Sequence, residues 1–226
     1  YLNGTHIGSH EGGYDPFSFD ITGALKKSGL QQLVVKVWDP TDAGPQPRGK
    51  QVKNPSGIWY TPVTGIWQTV WLEVLPTSYI EAIRQTPDID NQSVSVTPVV
   101  QNLQVGDRIK ILVSDNGEIV AEKELSEATT AIVQIPSPKL WSPDSPFLYD
   151  ITYILERKGK AIDRVKSYFG MRKISMEKDA NGIQRLLLNN EFLFQYGPLD
   201  QGWWPDGLYT APSDEALKFD VLKTKE

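Results

Sequence analysis

The sequence predicts a mainly β protein in three parts: a partial jelly-roll sandwich over 1–76, a seven-stranded immunoglobulin-like β-sandwich over 77–175, and a β/α unit over 176–226. Three observations carry this. Apolar and polar residues alternate in about five short segments before residue 76, fewer than the eight strands of a complete jelly roll. Seven strand-like segments with turn signals between them then follow, the pattern of an immunoglobulin-like sandwich. The last part reads strand, loop, helix, an order that fits an α/β barrel and many other folds.

In the first part, Thr5–His10 follows the Asn3-Gly4 turn. Phe17, Phe19 and Ile21 share one face of the next segment, and Leu33–Trp38 alternates again. The longest segment is Thr64–Leu75. Ile66, Gln68, Val70, Leu72 and Val74 would face a core, while Trp67, Thr69, Trp71, Glu73 and Leu75 point the other way. Two indoles beside a threonine and a carboxylate suit a contact with another domain or a sugar; filling core space is the other reading. Between the strands, 39–56 is a polar loop with four prolines. Loops of that length without secondary structure are commonly functional or disordered.

In the second part the expected strands are Tyr79–Arg84, Gln92–Gln101, Arg108–Ser114, Glu118–Leu125, Thr130–Ile135, Phe147–Glu156 and Ala161–Phe169. Asp115-Asn116-Gly117 and Lys158-Gly159-Lys160 are the hairpin signals. Ile109, Ile111 and Val113 should point inward, opposite Arg108, Lys110, Leu112 and Ser114. The chain has no cysteine, so packing alone is expected to join the two sheets. The run 136–143 holds three prolines and reads as a crossing connection anchored by Trp141. In the third part, Ile183–Leu188 and Glu191–Tyr196 form a hairpin through Asn189-Asn190, and Ser213 caps a helix that runs to the last residue.

Composition excludes several functions. The net charge is −5 with scattered Lys and Arg, which argues against nucleic acid and anionic membrane surfaces. No apolar run approaches the roughly 20 residues of a membrane helix. His6 and His10 are the only histidines, too few for a triad or a His-rich metal site, and read as surface residues in a hairpin. No metal site and no cofactor are expected. The missing cysteines leave the compartment open, with a periplasmic or extracellular setting set ahead of a cytoplasmic one. Asn3-Gly4 opens a hairpin with only two residues before it, and the last helix lacks a stop signal, so the chain reads as an excerpt of a longer protein.

Several motifs resemble family 2 glycoside hydrolases, the β-galactosidase and β-glucuronidase group. Gly65-Ile66-Trp67-Gln68-Thr69-Val70-Trp71-Leu72-Glu73 resembles the last strand of that family's sugar-binding domain. Residues 3–8 and 10–22 look like the family pattern, as do 140–143 and 146–149 in its sandwich domain. Leu188–Phe194 is similar to the segment entering its barrel, and Leu199–Gly207 to the loop after the first barrel strand in one subgroup. The resemblance implies that 176–226 is the start of a TIM-barrel catalytic domain, whose remainder is a partner of this chain. A homo-oligomer stays open.

The resemblance also implies that the 39–56 loop leans towards the active site, which makes Asp39, Arg48 and Lys50 candidates for touching substrate; a loop that meets only water is the alternative. In barrels of this type the site lies at the strand C-termini, where the loop 197–212 would emerge. An exposed Trp beside carboxylates is what a sugar site uses, because the ring face stacks and the carboxylate accepts hydroxyl bonds. Asp200, Gln201 and Trp204 are therefore the leading substrate-lining candidates, with Asp206 beside them; a Trp-rich plug between domains is the competing reading. Retaining hydrolysis needs two carboxyl groups about 5 Å apart. The family supplies them as glutamates from later barrel strands, so no catalytic residue is expected here. Asn190-Glu191 imitates the family's acid/base dipeptide but sits where a turn is expected. The expected function is thus the accessory portion of a β-galactosidase-like enzyme acting on a β-glycoside. The alternative is a non-catalytic carbohydrate-binding or structural sandwich module.

Overall fold

The computed structural model describes residues 1–226, which divide into two units: Leu72–Tyr196, and Tyr1–Trp71 with Gly197–Glu226. The first of these holds every strand. β1 (Tyr79–Asp88), β2 (Ser93–Gln101) and β5 (Ala131–Gln134) make one antiparallel sheet in the order β1-β2-β5. β3 (Arg108–Asp115), β4 (Glu118–Leu125), β6 (Tyr149–Arg157) and β7 (Lys160–Phe169) make the second, in the order β4-β3-β6-β7. These are the seven strands of the expected sandwich.

Alternation explains the core. Ile109, Ile111 and Val113 of β3 are fully buried and stand opposite Leu155, Tyr153 and Ile151 of β6. Val94, Val96, Ala131 and Val133 cover them from the other sheet. Two outward residues of β3, Arg108 and Lys110, are charged and pair with Glu124 and Glu122 of β4 on the wet face. The hairpins close through two-residue turns with positive φ at both positions, Asn116-Gly117 (49°, 90°) and Lys158-Gly159 (52°, 72°). That is the backbone whose twist matches the flanking strands.

Packing is not the only tie between the sheets. Asp107, 1% exposed, accepts from Arg157 Nε and Nη2, both at 2.7 Å. The same Nη2 donates to Ser78 Oγ at 2.8 Å, and Ser78 donates to the Asn102 carbonyl at 2.8 Å. This chain links the ends of β3 and β6 to the ends of β1 and β2. Asp163 of β7 adds a second link by accepting from the Ile80 amide of β1 at 2.8 Å. Trp141 anchors the proline-rich crossing as expected: its amide donates to the Met171 carbonyl at 2.9 Å, and the Arg172 guanidinium lies 4.6 Å from its ring centre.

A third sheet of β8 (Ile174–Lys178), β9 (Gln184–Leu188) and β10 (Glu191–Phe192) belongs to the same unit, in the order β10-β9-β8. The expected hairpin is there, with β8 added. Asn189 and Asn190 form its turn at φ 53° and 69°. The Asn189 side chain donates to the Trp141 carbonyl and accepts from the Lys173 amide, and Asn190 donates to Asp90. Asn190-Glu191 therefore serves a turn.

The second unit is built differently. The alternating segments of 1–76 form no ladder strand within this chain; the region holds a single 3-10 turn, Thr22–Ala24, and isolated bridges such as Leu2 with Leu33 and Gln51 with Tyr60. The physical reason is pairing. Alternation marks which way side chains point, but a strand exists only where its amides and carbonyls find a neighbour. Accordingly, Ile66, Val70, Leu72 and Val74 are exposed rather than inward. At the other end, α1 (Asp214–Lys225) begins as expected, with Ser213 Oγ accepting from the Ala216 amide at 3.2 Å and Asp214 and Glu215 in the first turn. β8–β10 and α1 fall in different units. No helix is long and apolar enough to cross a membrane.

Only Leu2 and Gln51 are buried in the second unit, whereas the sandwich has a contiguous apolar core. Stability should follow that division. Hydrogen exchange is expected to show strong protection in β1–β7 and weak protection in 1–71 and 214–225; equal protection of α1 in a dilute monomer would contradict this. Ile111→Ala, at a fully buried site, is expected to cost the sandwich about 2–5 kcal/mol in urea unfolding.

Candidate carbohydrate-facing site

The second unit gathers most of the expected site residues. Its frame is a parallel bridge between Gln51 and Tyr60: the Tyr60 amide donates to the Lys50 carbonyl at 2.9 Å, and the Val52 amide to the Tyr60 carbonyl at 3.1 Å. Adjacent residues in this extended stretch have separate partners. The Lys50 ammonium donates to Gln201 Oε1 at 3.3 Å, and buried Gln51 accepts from the Tyr209 hydroxyl through its own Oε1. Burial, and next its hydrogen bond with Tyr14, push the Tyr209 hydroxyl up to about 12. That phenol therefore stays protonated as a donor at neutral pH.

Aromatic rings fill the space around this frame. Tyr60 stacks on Trp203 with ring centres 4.8 Å apart and planes 12° from parallel. Tyr209 meets Trp203 edge-on at 5.4 Å and Trp67 at 5.2 Å. These offsets and tilts are the arrangements aromatic quadrupoles favour. Trp67 donates from Nε1 to the Gly13 carbonyl at 2.8 Å, and its own carbonyl accepts from Thr210 Oγ1 at 2.8 Å. It therefore acts as an internal tie, not as the open platform its place in an alternating segment suggests.

The candidate residues separate into three groups. Lys50 and Gln201 come together, and Gln201 Oε1 accepts a second bond, from the Tyr60 hydroxyl at 2.8 Å. Asp39 and Asp200 are occupied by their own loops. Asp39 accepts from the Thr41 amide at 2.6 Å and Thr64 Oγ1 at 2.8 Å, while Asp200 accepts from the Gly202 amide at 2.8 Å. Both amide contacts are Asx turns, in which a carboxylate bonds the backbone two residues on. Arg48 is half-buried, its Nε without a protein acceptor. Trp204 exchanges backbone bonds with Leu208 and closes a tight turn over exposed Asp206. Its neighbour Trp203 supplies the stacked ring. Sequence reasoning favoured Trp204 because adjacent tryptophans cannot be ranked without knowing which meets a partner. Tyr60 and Gln51 were missed because their roles arise from a bridge closed across the 53–59 loop.

Chemically, the arrangement presents hydrogen-bond donors beside a ring stack. No ion pair joins Lys50 to Asp200 or Asp206. The loop that carries Gln201 relies on two glycines: Gly202 at φ 61°, and Gly207, where any Cβ would overlap the Thr210 carbonyl oxygen. Gly207→Ala is expected to cost this unit about 1–3 kcal/mol through that overlap. The near-ultraviolet circular dichroism of the Tyr60–Trp203–Tyr209 stack should weaken while the far-ultraviolet signal of the sheets persists.

Comparisons with known proteins agree on one group. Residues 78–172 match the model of the glycosyl hydrolases family 2. A β-galactosidase of Thermoanaerobacter pseudethanolicus is 26% identical over 98% of this chain and 31% of its own length. A putative β-glucuronidase of Formosa agariphila is 32% identical over 90% of this chain and 20% of its own length. The crystal structure of a β-glycosidase from Bacteroides vulgatus superposes with a TM-score of 0.71 at 26% identity, covering 99% of this chain and 28% of that one. The chain thus spans about a fifth to a third of the length of these relatives.

Proposed function

Because the chain belongs to glycosyl hydrolase family 2, we propose that it is the accessory portion of a β-glycosidase. In this reading the sandwich is a rigid scaffold, and the unit around Gln51–Tyr60 contributes a carbohydrate-facing surface. The bond-breaking carboxylates come from the remainder of a catalytic barrel outside residues 1–226. They act as a retaining pair, one as nucleophile and the other as acid and then base.

The observation that carries the proposal is the convergence of Lys50, Tyr60 and Gln201 beside the Trp203 ring. A pyranose offers two surfaces to a protein: a ring of apolar C–H faces and a rim of hydroxyls. Aromatic side chains meet the first, and fixed polar donors and acceptors meet the second. Lys50 and Gln201 provide such donors next to an aromatic wall. Several sandwich charges instead pair across wet strand faces, as Arg108 does with Glu124. A structural role suits that unit better than a binding one.

The division of labour has a direct test. The purified 226-residue chain is expected to release no nitrophenol from 4-nitrophenyl β-D-galactoside or β-D-glucuronide above the uncatalysed rate. Turnover by material of verified mass that falls with Asp200→Asn would place catalysis within this chain and overturn the proposal.

A further inference from the structure

Gln201 is an exposed side chain on an irregular loop, yet its amide has a defined orientation. Lysine carries three donors and no acceptor, so the Gln201 atom that meets the Lys50 ammonium must be its oxygen. The Tyr60 hydroxyl donates to the same oxygen. Both donors come from residues whose backbones are joined by the bridge at Gln51. With Oε1 engaged twice, the NH₂ of Gln201 is the end left for a ligand; no protein acceptor takes it. Tyr60 links this amide to the aromatic wall, because the ring that stacks on Trp203 carries the hydroxyl that holds Gln201.

We propose that Lys50 is a positioning residue: it fixes the Gln201 amide so that its NH₂ faces the ligand as a directed donor for an acceptor oxygen of the sugar. The inference rests on the carbohydrate-facing reading of this unit and adds to it a polarity and a residue responsible for it. An amide free to turn over would offer oxygen and nitrogen in turn, and it would have to be ordered on binding. One held by a charge offers donors only and is ordered beforehand, which reduces the entropic cost of association. The local accounting points the same way. Asp39 and Asp200 each commit an oxygen to the backbone of their own loops, whereas the Lys50 ammonium keeps further donors of its own. The ligand chemistry is therefore that of an acceptor oxygen, from either a neutral hydroxyl or a carboxylate.

The test uses the full chain labelled with ¹⁵N, titrated separately with methyl β-D-galactopyranoside and methyl β-D-glucopyranosiduronate. The Gln201 side-chain NH₂ pair and the Trp203 indole are followed by NMR. Binding is expected to shift both. Lys50→Met is expected to weaken binding about tenfold, which corresponds to about 1.4 kcal/mol, and to bring the two Gln201 NH₂ resonances towards those of a solvent-exposed glutamine side chain. Lys50→Arg, which keeps a cationic donor, should restore both. A larger shift with the uronate identifies a carboxylate as the acceptor, and equal shifts identify a hydroxyl; either supports the inference. If sugar moves the Trp203 and Tyr60 signals but leaves the Gln201 NH₂ unmoved, or if Lys50→Met binds as wild type, the positioning role is overturned while the carbohydrate-facing reading stands. If neither sugar moves any signal of this unit, both fall together. Unchanged resonances of the Trp67 indole and of α1, which belong to the same unit as Lys50, in each ligand-free variant separate these outcomes from misfolding.

Discussion

The sandwich depends on one buried polar clasp. Asp107 lies almost wholly out of solvent, and Arg157 grips both of its oxygens. Taking a carboxylate out of water is costly unless its partner is placed well and the remaining lone pairs are used. Here the guanidinium meets it in a two-pronged geometry, and the Gln104 amide adds a third donor. The Arg157 hydrogen bonds hold the Asp107 carboxyl below the usual carboxylate range, so this contribution to stability is present near neutrality and disappears as pH falls through that lowered value. Because Arg157 also reaches Ser78, the clasp fixes the separation of the sheets at one end. In a fold without cysteine it complements the apolar core by specifying a single alignment of the two layers.

The other unit meets the same requirement by opposite means. It has no contiguous core of fully buried side chains, so hydrogen bonds and ring stacking set its arrangement. The short bridge at Gln51 has an influence beyond its size for that reason. It orients Lys50, Gln51 and Tyr60 together, and each of them reaches the 201–209 segment. A site formed this way is ordered where its partners converge and loose elsewhere. That suits a surface meant to complete a larger pocket better than one meant to enclose a ligand alone.

Much of the sandwich was legible in the sequence, because strands such as β3 and β5 alternate between buried and outward residues. Ile109, Ile111 and Val113 could be assigned to the core from their spacing alone. The clasp could not, since Asp107 and Arg157 are separated by 50 positions and neither shows a local pattern. In residues 1–76 the same alternation led neither to a ladder nor to a buried face, as pairing depends on partners that a local pattern does not name. At the site, residue type indicated which side chains could touch a sugar but not which were already engaged. A signal did exist for the carboxylates: Asp39-Pro40-Thr41 and Asp200-Gln201-Gly202 are both turn-forming triplets, and reading them so would have assigned those aspartates to their own backbones. For Trp203 against Trp204 there was no local signal at all.

The bridge between Gln51 and Tyr60 also closes a loop whose tip, residues 53–59, is exposed throughout. Doubling the length of such a flexible loop adds only about 0.6 kcal/mol of closure entropy. The bridge insulates Lys50 and Tyr60 from whatever is spliced between them. Insertions there could therefore accumulate in descendant proteins, reshaping the rim of the site while the donors at its base keep their register. The same segment is a natural position for grafting a foreign recognition peptide by design.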